Sequence, residues 1–224
     1  MRIGPSSSVL DLATIFVVFI KQEYGEIPSS GIIIDIGAFA IYAAGHSSGR
    51  VYAFGPSSES YGVLRRNIHI NNPGDRVFAY RRAITAHDDC VFITARRGPG
   101  NHISTQSGDG NMERAIAGRL EAILSANRLA VIDLLKMDCE GSEYGIIFSA
   151  KSDLWKSILR VGMEYRYGRE TELIRYFDAR GYDLKRHEYH GGGKGMTGHC
   201  GLRKDRHGRH CPRGRSVSRI TPET

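Results

Sequence analysis

Three carboxylates stand within six residues of each other in the segment KMDCEGSE, which covers residues 136–143. They are Asp138, Glu140 and Glu143, and they follow directly on a short apolar run. Like charges at this spacing raise the pKa of at least one carboxyl group or attract a cation, which suits general-base chemistry or the orientation of a substrate. The same composition is also typical of an acidic helix N-terminus that the helix dipole stabilises, and the pattern alone leaves both interpretations open.

The elements that would position these carboxylates can be recognised from short apolar runs. Residues 31–36 (GIIIDI), 50–54 (RVYAF), 130–137 (AVIDLLKM) and 160–165 (RVGMEY) have the apolar, β-branched character of buried parallel strands. Helical apolar spacing occurs between them, as at residues 58–71. This alternation predicts an α/β fold with a mostly parallel, doubly wound sheet. Ligands bind such sheets beyond the carboxyl ends of the strands.

The other segments have weaker signals. The longest of them, residues 112–127, has apolar residues at Ile116, Leu120, Ile123 and Leu124, which would share one face of a helix. We expect a short helix over 39–44, a third strand over 76–85, a hairpin strand over 90–94, a loop over 98–110, one helix over 112–127, a mostly helical segment over 143–159, a helix over 170–180, and an antiparallel hairpin of strands over 182–186 and 198–203.

Polar residues and glycines follow the predicted strands at the edge where a ligand would bind. Asp35 and Gly37 close the first strand, Gly55 follows the second, Asp138 follows the fourth and Glu164 lies near the end of the fifth. A glycine turn lets the backbone approach a ligand closely, and a carboxylate accepts hydrogen bonds from ligand amines or hydroxyls. We therefore expect these residues to border one shared site.

Five segments resemble the FkbM family of S-adenosylmethionine-dependent methyltransferases. They are IIIDIGA (32–38), RVYAFGPSSESYGVLRRNIHIN (50–71), IDLLKMDCEGSE (132–143), VGMEY (161–165) and ARGYDL (179–184). The resemblance spans about residues 30–203 and implies a Rossmann-like class I methyltransferase domain, to which the residues themselves add the expected C-terminal antiparallel hairpin. It also implies a function, namely O-methylation of a hydroxyl group on a sugar, glycolipid or secondary metabolite.

The resemblance implies roles for individual residues. S-adenosyl-L-methionine would contact Asp35, Gly37 and Ala38 at its methionine end, Phe54 and Gly55 beside its ribose, Ala83 near its adenine, and Asp138. Methyl transfer to a hydroxyl needs alignment and a base or a metal to lower the pKa of that hydroxyl. Candidate catalytic residues are Asp138, Glu140 and Glu164. The sequence assigns no metal ligand, and the need for a divalent metal is left open.

Three positions depart from the family pattern. The family reads D-x-G-A-N-x-G after the first strand, whereas Phe39 and Ile41 stand here in place of the asparagine and the last glycine. Gly55 replaces a glutamate that in the family binds both ribose hydroxyls, which we expect to weaken cofactor binding by about ten- to over a hundredfold. Glu59 is the nearest acid in the sequence that could compensate. The alternative function is therefore a catalytically degenerate protein that keeps the methyltransferase fold.

Composition and charge predict three regions. Residues 1–29 would form an N-terminal helical cap, 30–203 the methyltransferase domain, and 204–224 a basic, disordered tail. The chain has 224 residues and a net charge of +7, most of which comes from the basic residues after position 202. Such a tail could contact nucleic acid weakly, but the acidic residues 138–143 suit a phosphate backbone poorly, so a nucleic-acid methyltransferase is the less favoured alternative.

The remaining signals concern location. The apolar run at residues 9–20 is 12 residues long, whereas a membrane span needs about 20. Four scattered cysteines do not suggest a disulfide scaffold. We therefore expect a cytoplasmic protein without a transmembrane segment. The oligomeric state cannot be predicted from these features.

Overall fold

The structure is a computed structural model, and it describes residues 26–94, 103–104, 112–139, 141–166, 168–190 and 197–204. The strands are β1 Ile32–Ile36, β2 Arg50–Phe54, β3 Val77–Tyr80, β4 Ala83–Ile84, β5 Cys90–Thr94, β6 Ile103–Ser104, β7 Met112–Gly118, β8 Leu134–Met137, β9 Arg160–Arg166, β10 Asp183–His190 and β11 Thr197–Arg203. The helices are α1 Ala40–His46, α2 Ser58–Asn71, α3 Leu120–Ala126, α4 Glu143–Ser149, α5 Ser152–Lys156 and α6 Glu170–Asp178.

Seven of these strands form the main sheet, in the order β3-β2-β1-β8-β9-β11-β10. The strands from β3 to β9 are parallel, whereas β11 runs antiparallel between β9 and β10. The predicted α/β fold, with a mostly parallel sheet and a C-terminal antiparallel hairpin, is confirmed. The carboxyl ends of β1, β2, β8 and β9 consequently meet at one edge of the sheet.

Strand β1 is buried on both faces, as expected for an apolar run inside a parallel sheet. Ile33 packs with α1 in one cluster, whereas Ile34 and Ile36 belong to the larger cluster that contains residues of α3, α4, α5 and α6. Each fully buried isoleucine contributes about 1.5–3 kcal/mol to folding. The two-residue alternation of strand side chains thus fixes helices on both faces of the sheet.

A second, smaller sheet has the order β4-β7-β5-β6. Its own apolar cluster consists of Ala83, Val91, Ile93, Ala115 and Ala117. It interrupts the chain between β3 and α3, and it holds one of the predicted cofactor-binding residues, Ala83. The hairpin strand predicted at 90–94 is confirmed as β5, which pairs antiparallel with β7.

The helix predicted over 112–127 is wrong. Residues Met112–Gly118 form β7, and only Leu120–Ala126 form a helix. Ala115 and Ala117 are buried while Ile116 is 59% exposed, so the burial period is two and not 3.6. Pairing with β5 decides the conformation of this segment.

Two further predicted elements are each divided in the structure. The strand predicted over 76–85 consists of β3 in the main sheet and β4 in the small sheet. The segment predicted as mostly helical over 143–159 contains α4 and α5, separated at Ala150 and Lys151, where the backbone is extended. The first break lies where the chain leaves the main sheet for the small sheet, whereas α4 and α5 pack in the same apolar cluster.

Most of the predicted terminal regions lie outside the described residues. This applies to residues 1–25 of the helical cap and to residues 205–224 of the basic tail. Most of the predicted loop over 98–110 also lies outside the described residues, but Ile103 and Ser104 within it form strand β6. Lys204 is described, and its Nζ donates a hydrogen bond to the carbonyl of Trp155 at 3.0 Å. Among the described residues, no helix combines the length and apolar character needed to cross a membrane.

Candidate functional site

Strand register brings four of the predicted residues into one row. Asp35 is paired with Ala53 on β2 and with Lys136 on β8, and Lys136 is paired with Gly162 on β9. Two residues further along each strand, Gly55, Gly37, Asp138 and Glu164 follow one another across the carboxyl edge. Backbone hydrogen bonds continue the ladder here, because Gly37 N donates to Phe54 O at 3.2 Å and Asp138 N donates to Ile36 O at 2.9 Å.

Asp35 lies directly below this row and is fully buried. Its Oδ2 accepts the backbone N–H of Phe39 at 2.8 Å, and its Oδ1 is 3.5 Å from Nζ of Lys136. Burial raises the pKa of Asp35, while Lys136 and the backbone N–H groups of Phe39 and Ala40 oppose that rise. The carboxylate therefore holds residues 35–39 in a closed turn at the end of β1.

Lys136 is a buried cation between two carboxylates. Its Nζ lies 3.5 Å from Asp35 Oδ1 and 3.6 Å from Asp138 Oδ2. Burial alone would lower the pKa of Lys136, but Asp138 and Asp35 together outweigh it and raise the pKa. The three groups, when ionised, carry one net negative charge, and Asp138 keeps 22% of its side chain exposed.

Gly37 lies against this ion pair on one side and is exposed on the other. Its φ of +131° lies in the region that favours glycine, and an added Cβ would lie 2.7 Å from Lys136 Nζ and 2.8 Å from the carbonyl oxygen of Asp138. Gly37 and Ala38 are exposed at the carboxyl edge. A ligand can therefore reach the backbone of this turn without meeting a side chain from Gly37.

Phe54, Gly55 and Ala83 have different surroundings. Phe54 is buried and stacks on Tyr80 with ring centroids 4.9 Å apart, and Ala83 is buried in the small sheet. Because the side chains of Phe54 and Ala83 are buried, only their backbones could contact a ligand at the carboxyl edge. Gly55 is at the edge itself, and no heavy atom of the described residues lies within 4 Å of the position that its Cβ would take.

The three acidic residues of the 136–143 segment are not equivalent. Glu143 is 1% exposed, and its carboxylate accepts the backbone N–H groups of Cys139 at 2.7 Å and Gly141 at 2.9 Å. It fixes the turn between β8 and α4 and, being buried, is not exposed at the carboxyl edge. Glu140 lies outside the described residues, and its catalytic assignment stays a prediction.

A family model for the FkbM methyltransferase domain matches residues 34–184, which is more than half of the chain. The chain belongs to the FkbM methyltransferase family. The match includes every candidate site residue named above, from Asp35 to Glu164. No curated protein matches the chain in sequence.

Solved methyltransferase structures resemble this FkbM domain in fold. TrmK from M. capricolum, in complex with S-adenosyl-homocysteine, is 13% identical with a TM-score of 0.53, and the match covers 83% of this chain and 67% of that one. The METTL16 methyltransferase domain is 12% identical with a TM-score of 0.53, covering 91% and 72%. Sp1610 from Streptococcus pneumoniae, in complex with S-adenosyl-L-methionine, is 10% identical with a TM-score of 0.50, covering 82% and 71%. At these identities the likeness shows the fold alone.

The departures from the FkbM pattern can now be located. Helix α1 begins at Ala40, directly after the turn, and Phe39 precedes it with its ring buried 5.5 Å from that of Tyr42. Ile41 is half-buried and lines a cavity of about 460 Å³ between α1 and the turn that follows α2, together with Pro73 and Arg76. That cavity is separate from the row of site residues at the carboxyl edge.

One carboxylate at this edge of the FkbM domain was not found from the sequence. Glu113, on β7, accepts hydrogen bonds from the backbone N–H and the hydroxyl of Ser58 at the start of α2. It also pairs with Arg81, which follows β3. No spacing signal links Glu113 to Ser58, because 55 residues separate them and the segment around Glu113 was predicted to be helical.

Proposed function

We propose that this FkbM-family protein is an S-adenosylmethionine-dependent O-methyltransferase whose acceptor is a hydroxyl group of a sugar, glycolipid or secondary metabolite. The observation that carries the proposal is the row of Gly55, Gly37, Asp138 and Glu164 at the carboxyl edge, above the buried pair of Asp35 and Lys136. Membership of the FkbM methyltransferase family gives the reaction class. The acceptor class follows from the resemblance alone.

The residues present fit S-adenosylmethionine at its methionine end. Gly37 and Ala38 offer an exposed backbone, and the net negative charge of Asp35, Lys136 and Asp138 favours a ligand that carries a cation. Asp35 would act by holding the turn, since its carboxylate is already engaged by Phe39 and Lys136. The cofactor, when bound, supplies an electrophilic methyl group attached to sulfur.

The acceptor side of the site is formed by carboxylates. Asp138 and Glu164 follow one another on adjacent strands, so an acceptor hydroxyl placed over β8 and β9 could donate its proton to either. Lys136 lies 3.6 Å from Asp138 and helps to hold that carboxylate in place. Removal of the hydroxyl proton increases the nucleophilicity of the oxygen that receives the methyl group.

Calorimetric titration of the native chain with S-adenosylmethionine tests the proposal. We expect saturable binding in the micromolar range, which corresponds to about 7–8 kcal/mol. A Gly37→Val variant should lose this binding, because its side chain would meet Lys136 and Asp138, whereas Gly45→Val, on α1 away from the edge, serves as a control. A native chain that shows no heat of binding would contradict the proposal.

A second candidate function is a non-catalytic protein of the same fold, and Gly55 is the observation that favours it. The space around Gly55 accommodates a larger side chain, so a Gly55→Glu variant can restore the family's acid. If the native chain does not bind S-adenosylmethionine and Gly55→Glu does, the protein is a disabled methyltransferase. Binding by the native chain would argue against this candidate.

A further inference from the structure

The end of β2 has no carboxylate of its own. In open α/β sheets that bind nucleosides, an acid in this region accepts hydrogen bonds from the ribose hydroxyls. Here the residue is Gly55, and in the described part of the chain no heavy atom lies within 4 Å of the position that a Cβ would take. A ligand ribose placed at this point needs acceptors from elsewhere in the chain.

Glu113 reaches this end of β2 from the small sheet. Both oxygens of its carboxylate lie 3.1 Å from the backbone nitrogen of Ser58, and Oε2 lies 3.0 Å from the Ser58 hydroxyl. Ser58 is the first residue of α2 and stands three positions after Gly55. The contact therefore attaches β7 to the segment that follows β2.

Arg81 orients the Glu113 carboxylate. Its Nη2 donates both to Glu113 Oε1 and to the backbone carbonyl of Arg114, at 3.3 Å in the second case. Arg81 follows Tyr80, whose carbonyl accepts the Gly55 N–H at 3.3 Å. The cation, the carboxylate and Gly55 thus belong to one connected group at the ends of β2 and β3.

The Glu113 carboxylate retains capacity for a ligand. An ionised carboxylate offers about four acceptor positions, and among the described residues three donors occupy Glu113, namely the Arg81 guanidinium and the N–H and O–H of Ser58. The Ser58 oxygen is also an acceptor, because a hydroxyl has two lone pairs. The Glu113 side chain is 21% exposed, so solvent and ligand can reach it.

We propose that Glu113, assisted by Ser58, binds the ribose hydroxyls of the nucleoside cofactor in place of the side chain that Gly55 lacks. This inference rests on the proposed function. In this protein an acid on β7, Glu113, would take the ribose-binding role of an acid at the end of β2, where Gly55 stands.

The test compares binding of S-adenosylhomocysteine with binding of its 2′-deoxy and 3′-deoxy analogues. We expect Glu113→Gln to weaken S-adenosylhomocysteine binding by about ten- to a hundredfold and to remove most of the preference of the native chain for the ribose form. Glu121→Gln is the matched control, because Glu121 also accepts a backbone N–H, that of Lys151 at 2.7 Å, but lies on α3. It should leave both quantities unchanged.

A rescue experiment guards against a merely structural effect at the start of α2. Gly55→Glu added to Glu113→Gln should restore both the affinity and the ribose preference, since the acid returns at the end of β2. If Glu113→Gln keeps the native affinity and ribose preference, or if the folded double variant regains neither, the role of Glu113 is overturned while the proposed function stands. If the native chain binds neither S-adenosylmethionine nor S-adenosylhomocysteine, the proposed function and this inference fall together.

Discussion

Among the single residues of the candidate site, Lys136 balances the charge, because it is the buried cation between Asp35 and Asp138. Replacing it by methionine leaves Asp35 buried without its cation, and breaking a buried pair in this way costs about 3–5 kcal/mol. Lys156→Met is the control, because Lys156 pairs with Asp153 at 2.6 Å while both side chains are more than three-quarters exposed. It should cost less than about 1 kcal/mol. Urea unfolding of both variants measures the difference in the free energy of unfolding. Equal losses in the two variants would contradict the expectation that the buried pair contributes more than the exposed one.

Gly37 and Gly55 differ in whether their positions can accept a side chain. Gly37→Ala should cost about 1–3 kcal/mol in the free energy of unfolding, because φ is +131° and the new Cβ would lie 2.8 Å from a backbone oxygen. The new Cβ of Gly55→Ala would have no described heavy atom within 4 Å, so this variant should change stability by less than about 0.5 kcal/mol. Thermal unfolding of the two variants provides the comparison, and a stable Gly37→Ala protein would show that the turn relaxes.

The turn between β8 and α4 depends on Glu143 at the scale of elements. Burial raises the pKa of Glu143 above its ordinary value of 4.5, against hydrogen bonds such as that from Cys139. The native state then holds the proton to higher pH than the unfolded chain, so the contribution of Glu143 to stability is full below about pH 4.5 and falls as pH rises through the raised pKa. Glu143→Gln cannot titrate.

The stability difference between the native chain and Glu143→Gln should therefore decrease as pH rises from 4.5. Urea unfolding at several pH values measures it, with Glu121→Gln as a control whose carboxylate also accepts a backbone N–H. A difference that increases with pH would show that the carboxylate is stabilised in its charged form.

Strand β7 shows where local sequence signals were insufficient. The bounds predicted for β2 and α2 agree with the structure, because β-branched runs and helical spacing act within the element itself. The apolar residues of segment 112–127 fitted one helix face, but pairing with β5 imposes a two-residue period on β7. The predicted strand ends correctly placed four residues at the carboxyl edge of the sheet, namely Asp35, Gly37, Asp138 and Glu164. Glu113 was not predicted as a site residue, because strand β7 brings it to this edge and the sequence predicted a helix for that segment.

Substitutions on β7 test that strand directly. Ile116→Thr should change stability by less than about 0.5 kcal/mol, because Ile116 is 59% exposed and threonine suits a strand. Ala117→Leu, at the neighbouring buried position, should cost about 1–3 kcal/mol through overpacking of the small cluster. Thermal unfolding distinguishes the two, and the opposite order of costs would restore the helical interpretation.

At the scale of the whole molecule, charge is distributed unevenly along the chain. Residues 203–224 contain seven basic and two acidic residues, whereas the described site includes a buried cation flanked by Asp35 and Asp138. We expect a phosphate backbone to be repelled by the acidic edge and attracted by the basic segment. Weak RNA binding through that segment would thus be independent of the methyltransferase site.

The salt dependence of RNA binding tests this separation. Replacing Arg213, Arg215 and Arg219 together by glutamine should weaken binding of a single-stranded RNA and reduce the slope of log K against log salt by about 0.7 for each phosphate charge that is no longer neutralised. The control replaces Arg65, Arg66 and Arg128, which are exposed residues of the described domain. Affinity for S-adenosylmethionine should be unchanged in both triple variants, because neither alters the row of site residues. If the control triple variant lost RNA binding and the first did not, the basic surface of the domain, and not residues 203–224, would be the RNA-binding region.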